Sequence, residues 1–151
     1  MNIFVGCSSR DVTDNVKWSR YCTATLEVTK FITAHKHTLV FGGCARGLMG
    51  LMYKCILLNK ANIIVAIPQA YINDAEELFY SNLFDFNTVS ERKDWIFKNT
   101  SMHIFLPGGI GTIDELFSSI EAKRCGEHNS PIIIINEQGY FLSLIHISEP
   151  T

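Results

Sequence analysis

Short, nearly unbroken apolar runs alternate along this chain with stretches in which apolar residues recur every three or four positions. The first kind falls at residues 3–5, 38–41, 63–67, 103–106 and 132–135, with a weaker run at 84–88. Its β-branched character suits strands buried on both faces of a sheet. The second kind suits amphipathic helices. A long one lies between the first two runs, with Tyr21, Ala24, Val28 and Phe31 on its inner face. Another spans 48–58 with Met49, Met52, Tyr53 and Ile56 inward, and a third covers 91–99. A fourth carries Ile113, Leu116, Phe117 and Ile120 at i, i+3, i+4 and i+7 and stops near Gly126. Pro68 ends the third run, and the stretch to Leu83 reads as an irregular excursion with a short helix. Strand–helix alternation of this kind predicts an α/β, Rossmann-like three-layer sandwich with a central, mostly parallel sheet. No internal repeat or linker marks a second domain, so residues 1–141 are expected to form a single α/β domain.

The candidate chemistry sits where strands end. After the run at 103–106 comes Pro107-Gly108-Gly109-Ile110-Gly111-Thr112, then Glu115 and the fourth helix. Glycines let a backbone approach a ligand closely. A helix start offers unpaired N–H groups and partial positive charge to an anion. Thr112 is expected to cap this helix and to donate its hydroxyl, and Glu115 to stand in the first turn beside whatever the loop holds. Two more glycine-bearing loops, Gly6-Cys7-Ser8-Ser9 and Gly42-Gly43-Cys44-Ala45-Arg46-Gly47, follow the first and second runs. In a parallel sheet all of these emerge at one carboxyl edge, where open α/β sheets bind ligands. The chain has no G-x-x-x-x-G-K-[ST], and its second loop is G-G-x-x-x-G rather than G-x-G-x-x-G, which disfavours a P-loop NTPase and a dinucleotide dehydrogenase. Arg92 and Lys93 stand near the start of the third helix, the wrong end for the helix dipole, a local conflict that hints at another job.

Composition narrows the picture. The 151 residues are 47% hydrophobic and 19% charged, as in a soluble globular domain. A net charge of −2 argues against a nucleic-acid polymer or a membrane surface as partner. No apolar run approaches the ~18 residues of a membrane span. The opening residues read as a first strand, not a signal peptide. Five scattered cysteines without a C-x-x-C pair suggest reduced thiols and a cytoplasmic setting. Cys7 and Cys44 read as small loop residues that could also face a ligand. The histidines, including His35, His37, His103 and His128, have no ligand-like spacing, so no metal site is expected.

These motifs together resemble the Lonely guy (LOG) family of nucleoside-monophosphate phosphoribohydrolases, often labelled lysine decarboxylase-like. Pro107, Gly108, Gly109, Gly111, Thr112 and Glu115 match its P-G-G-x-G-T-x-x-E signature. Gly42, Gly43 and Gly47-Leu48-Met49-Gly50 match its G-G-x-x-x-G-L-M-G loop, Glu91-Arg92-Lys93 its E-R-K turn, and Gly6, Ser8 and Ser9 its first glycine loop. The likeness runs from residue 2 to about 140. It departs at Val89-Ser90, where the family has Met-His, and at 121–124, where it has Trp and Gln. Both departures bear on base selectivity more than on the phosphate cradle. Residues 142–151 resemble a recurrent translated-adapter tail, so they are expected to be non-native and the family's C-terminal elements truncated.

The resemblance implies hydrolysis of the N-glycosidic bond of a cytokinin riboside or adenosine 5′-monophosphate, with no cofactor and as a homodimer. Glu115 would stabilise the oxocarbenium-like transition state or activate water, and Arg92 would orient Glu115 or assist the departing base. The phosphate would rest on Gly109, Gly111 and Thr112, with Ser8, Gly42, Gly43, Gly108 and Lys93 completing the nucleotide contacts. A carrier of the same fold, binding a nucleotide or molybdenum cofactor without hydrolysis, is the alternative. A pyridoxal-phosphate decarboxylase has little support, because no lysine has a recognisable setting for that cofactor.

Overall fold

The apolar runs become the strands of one six-stranded sheet in the computed structural model, which describes residues 1–11 and 13–141. The elements are β1 (Asn2–Gly6), α1 (Asn15–Ala34), β2 (Thr38–Phe41), α2 (Gly47–Leu58), β3 (Ile63–Pro68), a 3-10 segment (Gln69–Ala75), β4 (Asn82–Phe86), α3 (Val89–Asn99), β5 (Met102–Phe105), α4 (Ile110–Arg124), β6 (Ile132–Ile134) and a 3-10 turn (Glu137–Gly139). Every strand pair is parallel, in the order β4-β3-β2-β1-β5-β6. The chain therefore steps outward from β1 to β4, then crosses back to lay β5 on the other side of β1. The tail expected to be non-native, 142–151, lies outside the described residues.

Continuous apolar strands are what a sheet covered on both sides needs, because alternate residues face opposite layers. Ile3 and Val5 of β1, with Leu39 and Phe41 of β2, join the cluster under α1 and α2. Phe4 and Val40 join Ile96, Phe97 and Leu116 under α3 and α4. Asp14 caps α1, its carboxylate accepting from the N–H groups of Val16 and Lys17 at 3.0 Å. Among the described residues no helix is long and apolar enough to cross a membrane.

Three sequence expectations shift. β4 covers Asn82–Phe86, two residues earlier than expected, because Thr88 leaves the strand to cap α3, its Oγ accepting from Glu91 N–H at 3.1 Å. The inner face of α1 turns towards Thr25, Thr29 and Ile32, leaving Ala24 and Phe31 at its border. Those threonines bury at little cost because each hydroxyl donates to the carbonyl four residues back. The largest correction is in α4. Of the expected inward set only Leu116 is buried, while Phe117 and Ile120 are 42% and 40% exposed. The buried side is instead Thr112, Glu115, Leu116, Ser119 and Ala122.

That polar inner face is held by partners. The Ser119 hydroxyl lies 2.7 Å from His103 Nδ1 on β5, and its carbonyl lies 2.8 Å from Nε2 of His128. Burial, then the neighbouring His128 and Lys123, lower the pKa of His103 to about 4. Its folded value lies below the ordinary 6.5, so this contribution to stability is complete above that pH and is lost as pH falls towards about 4. The full effect is about 3 kcal/mol. Denaturant melts at pH 7.5 and pH 4.5 are expected to show a clear loss of stability in the wild type and a smaller loss in His103→Gln.

Candidate active site

The parallel order puts the loops after β1, β2, β3 and β5 on one edge. The switch point, where the chain reverses direction across the sheet, falls between β1 and β5. There Ser8 N–H donates to the Pro107 carbonyl at 3.0 Å, tying the first loop to the last. Around this point opens a cavity of about 850 Å³, lined by Cys7, Ser8, Gly42, Arg92, Thr112 and Glu115 among others.

Gly47 and Gly108 are among the glycines that close approach requires. Gly47 opens α2 at φ +62°, and a Cβ there would lie 2.6 Å from the Arg10 nitrogen. A side chain would push α2 off the first loop, where Met49 N–H donates to the Ser8 carbonyl at 3.0 Å. At Gly108 a Cβ would fall 2.1 Å from Thr112 Oγ1. Gly108 thus lets the strand end fold back over the first turn of α4, and its carbonyl accepts from the Tyr140 hydroxyl.

The N-cap of α4 is Gly109, which offers no side-chain cap. Thr112 is therefore not the cap; it stands buried in the first turn, and Glu115 falls in the second, because the helix begins three residues earlier than expected. The N–H groups of Ile110, Gly111 and Thr112 have no intrahelical acceptor. Gly109 and Gly111 line the cavity with no protein atom within 4 Å of where a Cβ would stand. The result is an uncapped, electropositive helix start with room in front of it.

Glu115 projects from α4 to the cavity floor and meets Arg92 of α3. The Arg92 Nη1 donates to Glu115 Oε2 at 3.2 Å, and its Nε donates to the Ala66 carbonyl at 2.6 Å. Both side chains are buried yet line the cavity. Burial pushes the Glu115 carboxyl above the usual carboxylate range, while the Arg92 charge and hydrogen bond pull it back. The misplaced charge of the sequence thus has its explanation: Arg92 points inward, held by a strand carbonyl and a carboxylate. The site combines an anion cradle with a carboxylate of raised proton affinity.

The other named residues divide. Ser8 and Gly42 line the cavity, and Gly42 leaves room for the Arg92 guanidinium. Gly43 turns away, packed on Val65. Lys93 does not line the cavity; its ammonium lies 2.9 Å from Asp114 Oδ2, in a separate groove between α3 and α4. Cys7 and Cys44 do line it, and burial raises the Cys7 thiol far above its ordinary value, keeping it protonated. Arg10, Arg46, Tyr71 and Asp74 are lining residues not singled out from sequence. Arg46 stood inside the second glycine loop and was legible there, whereas Tyr71 and Asp74 lie in the irregular excursion and carry no pattern. Among the described residues no group of three or more His, Cys, Asp or Glu is placed to hold a metal ion.

Comparisons with known proteins bear on the family and the fold. A probable cytokinin riboside 5′-monophosphate phosphoribohydrolase of Oryza sativa subsp. japonica (LOG4) is 33% identical over 130 residues, 84% of this chain and 56% of that protein. One of Arabidopsis thaliana (LOG6) is 30% identical over 147 residues, 95% of this chain and 70% of that protein. This chain thus spans little more than half the length of the rice relative. Among solved structures, the Moco carrier protein of Chlamydomonas reinhardtii superposes with a TM-score of 0.69 at 16% identity, over 97% of this chain and 83% of that one, a likeness of fold. The family model described as "Possible lysine decarboxylase" matches residues 49–150. By this match and by its relatives, the chain belongs to the LOG, or lysine decarboxylase-like, family.

Proposed function

We propose that this protein hydrolyses the N-glycosidic bond of a purine nucleoside 5′-monophosphate, a cytokinin riboside or adenosine monophosphate, to the free base and ribose 5-phosphate. The observation that carries the reading is the buried Arg92–Glu115 pair at the cavity floor, one helical turn from the uncapped start of α4. The phosphate rests on the N–H groups of Ile110, Gly111 and Thr112 and on the Thr112 hydroxyl. The ribose is thereby held over Glu115, which lowers the entropic part of the barrier. As the bond breaks, the base departs with the electron pair and positive charge grows on the ribose ring; the Glu115 carboxylate stabilises that charge, takes a proton from the attacking water and returns it to the departing base. Arg92 aims that carboxylate and pulls its raised proton affinity back down. The names of the relatives from Oryza and Arabidopsis support this substrate class. The outward stripe of Ile110, Phe117 and Ile120 on α4 supports a homodimer, read by sedimentation velocity at micromolar concentration.

The test is a turnover panel of nucleoside monophosphates, with ribose 5-phosphate as readout and AMP binding followed by calorimetry. Base release from at least one purine monophosphate is the expected result. Binding without release would instead support a carrier of the same fold. Gly111→Ala sharpens the cradle's part: the added methyl meets no protein atom, so the melting temperature should hold or rise, while AMP affinity falls about tenfold.

A further inference from the structure

Consecutive residues on α3, Arg92 and Lys93, bond consecutive residues on α4, Glu115 and Asp114. The inner pair is buried and faces the cavity. The outer pair lies in the groove between the helices, where Lys93 Nζ is 2.9 Å from Asp114 Oδ2, 3.1 Å from Oδ1 and 3.0 Å from Ser118 Oγ. Neighbouring residues on a helix point about 100° apart. One ion pair alone would fix a distance between the two helices but leave each free to rotate about its axis. A second pair, set off by that angle on both helices at once, removes the rotation. Ser118, one turn beyond Asp114 on the same face, adds a third point of attachment.

We propose that Lys93 and Asp114 act as positioning residues, an outer brace that holds Glu115 at the angle where it meets both Arg92 and the substrate. This role differs from the nucleotide contact that the resemblance implies for Lys93. It deepens the hydrolase reading and rests on it for the kinetic part of the test alone. The brace also acts through charge. The groups facing Glu115 are Arg92 and Lys93 from α3, Asp114 from its own helix and Cys7 from the loop after β1. Of these, Lys93 lowers the proton affinity of Glu115 and Asp114 raises it.

The test compares wild type with Lys93→Met, Asp114→Asn and the double variant, with Lys93→Arg as the conservative control. The Glu115 carboxyl is titrated by carbon-13 NMR without substrate, so a chain that releases no base still answers the question. The midpoint is expected to rise in Lys93→Met, fall in Asp114→Asn and return towards wild type in the double variant. With AMP, kcat is expected to drop about tenfold in Lys93→Met, with KM within twofold and most activity kept in Lys93→Arg. The acid limb of kcat should move with the NMR midpoint. Should Lys93→Met not fold, Lys93→Gln carries the same comparison. A Glu115 midpoint unmoved in both single variants overturns the proposal. So does a tenfold rise in KM at unchanged kcat in Lys93→Met, which would put Lys93 on the nucleotide.

Discussion

Glu115→Gln is expected to lower base release from AMP by about 10³-fold while AMP binding stays within severalfold of wild type. The amide keeps the shape of the carboxylate and can still accept from Arg92 Nη1, so the cavity keeps its form. What disappears is the negative charge and the basic oxygen, and both matter only as the bond to the base breaks. The loss should therefore appear in kcat, with KM nearly unchanged. Single-turnover measurement of ribose 5-phosphate, paired with calorimetric titration of AMP, separates the two quantities. Release at the wild-type rate would remove Glu115 from the chemistry.

Arg92→Met should produce a large loss of stability. It removes the cation bonded to the buried Glu115 carboxylate and leaves the Ala66 carbonyl without that donor. Breaking one side of a buried ion pair costs about 3 kcal/mol. The effect depends on pH with a definite sign. Without Arg92, burial raises the folded-state pKa of Glu115 still further above its unfolded value. The protonated form is the one the interior tolerates, so the deficit is small at acidic pH and grows as pH rises through that interval. Urea melts of Arg92→Met at pH 5 and pH 8 should show the larger gap from wild type at pH 8. Adding Glu115→Gln should return much of the lost stability, because no unpaired charge then remains.

Much of this architecture was readable because the central strands are apolar on both faces and β1, β2 and β5 lead into glycine loops. The runs around Phe4, Val40 and Ile104 admit few structures other than a covered parallel sheet, and that sheet brings the loops at Gly6, Gly42 and Gly108 to one edge. The inner face of α4 was not readable, for a physical reason. Periodicity assumes that apolar residues turn inward, but here Glu115 and Ser119 turn inward because Arg92 and His103 await them. Those partners lie on α3 and β5, and nothing within α4 announces them. Phe117 and Ile120 are left outside as the counterpart. Lys93 could not be separated from Arg92 by motif alone, since one helical step decides which of two neighbours enters the cavity. The early end of β4 follows from Thr88, whose capping role shows only against the helix it starts.

The return of the chain from β4 to the far side of β1 has a consequence for how the protein is made. During synthesis β1 to β4 and their helices leave the ribosome before β5, while one flank of β1 still lacks its β5 partner. β5 fills that flank only after more than ninety residues have been joined. Glu115 follows later still, so the nascent chain has neither the uncapped helix start nor the carboxylate until its sheet is nearly finished. On the proposed function, nucleotide binding would then report on completed folding, and a substrate bound at the finished site would draw the late strand and helix into place.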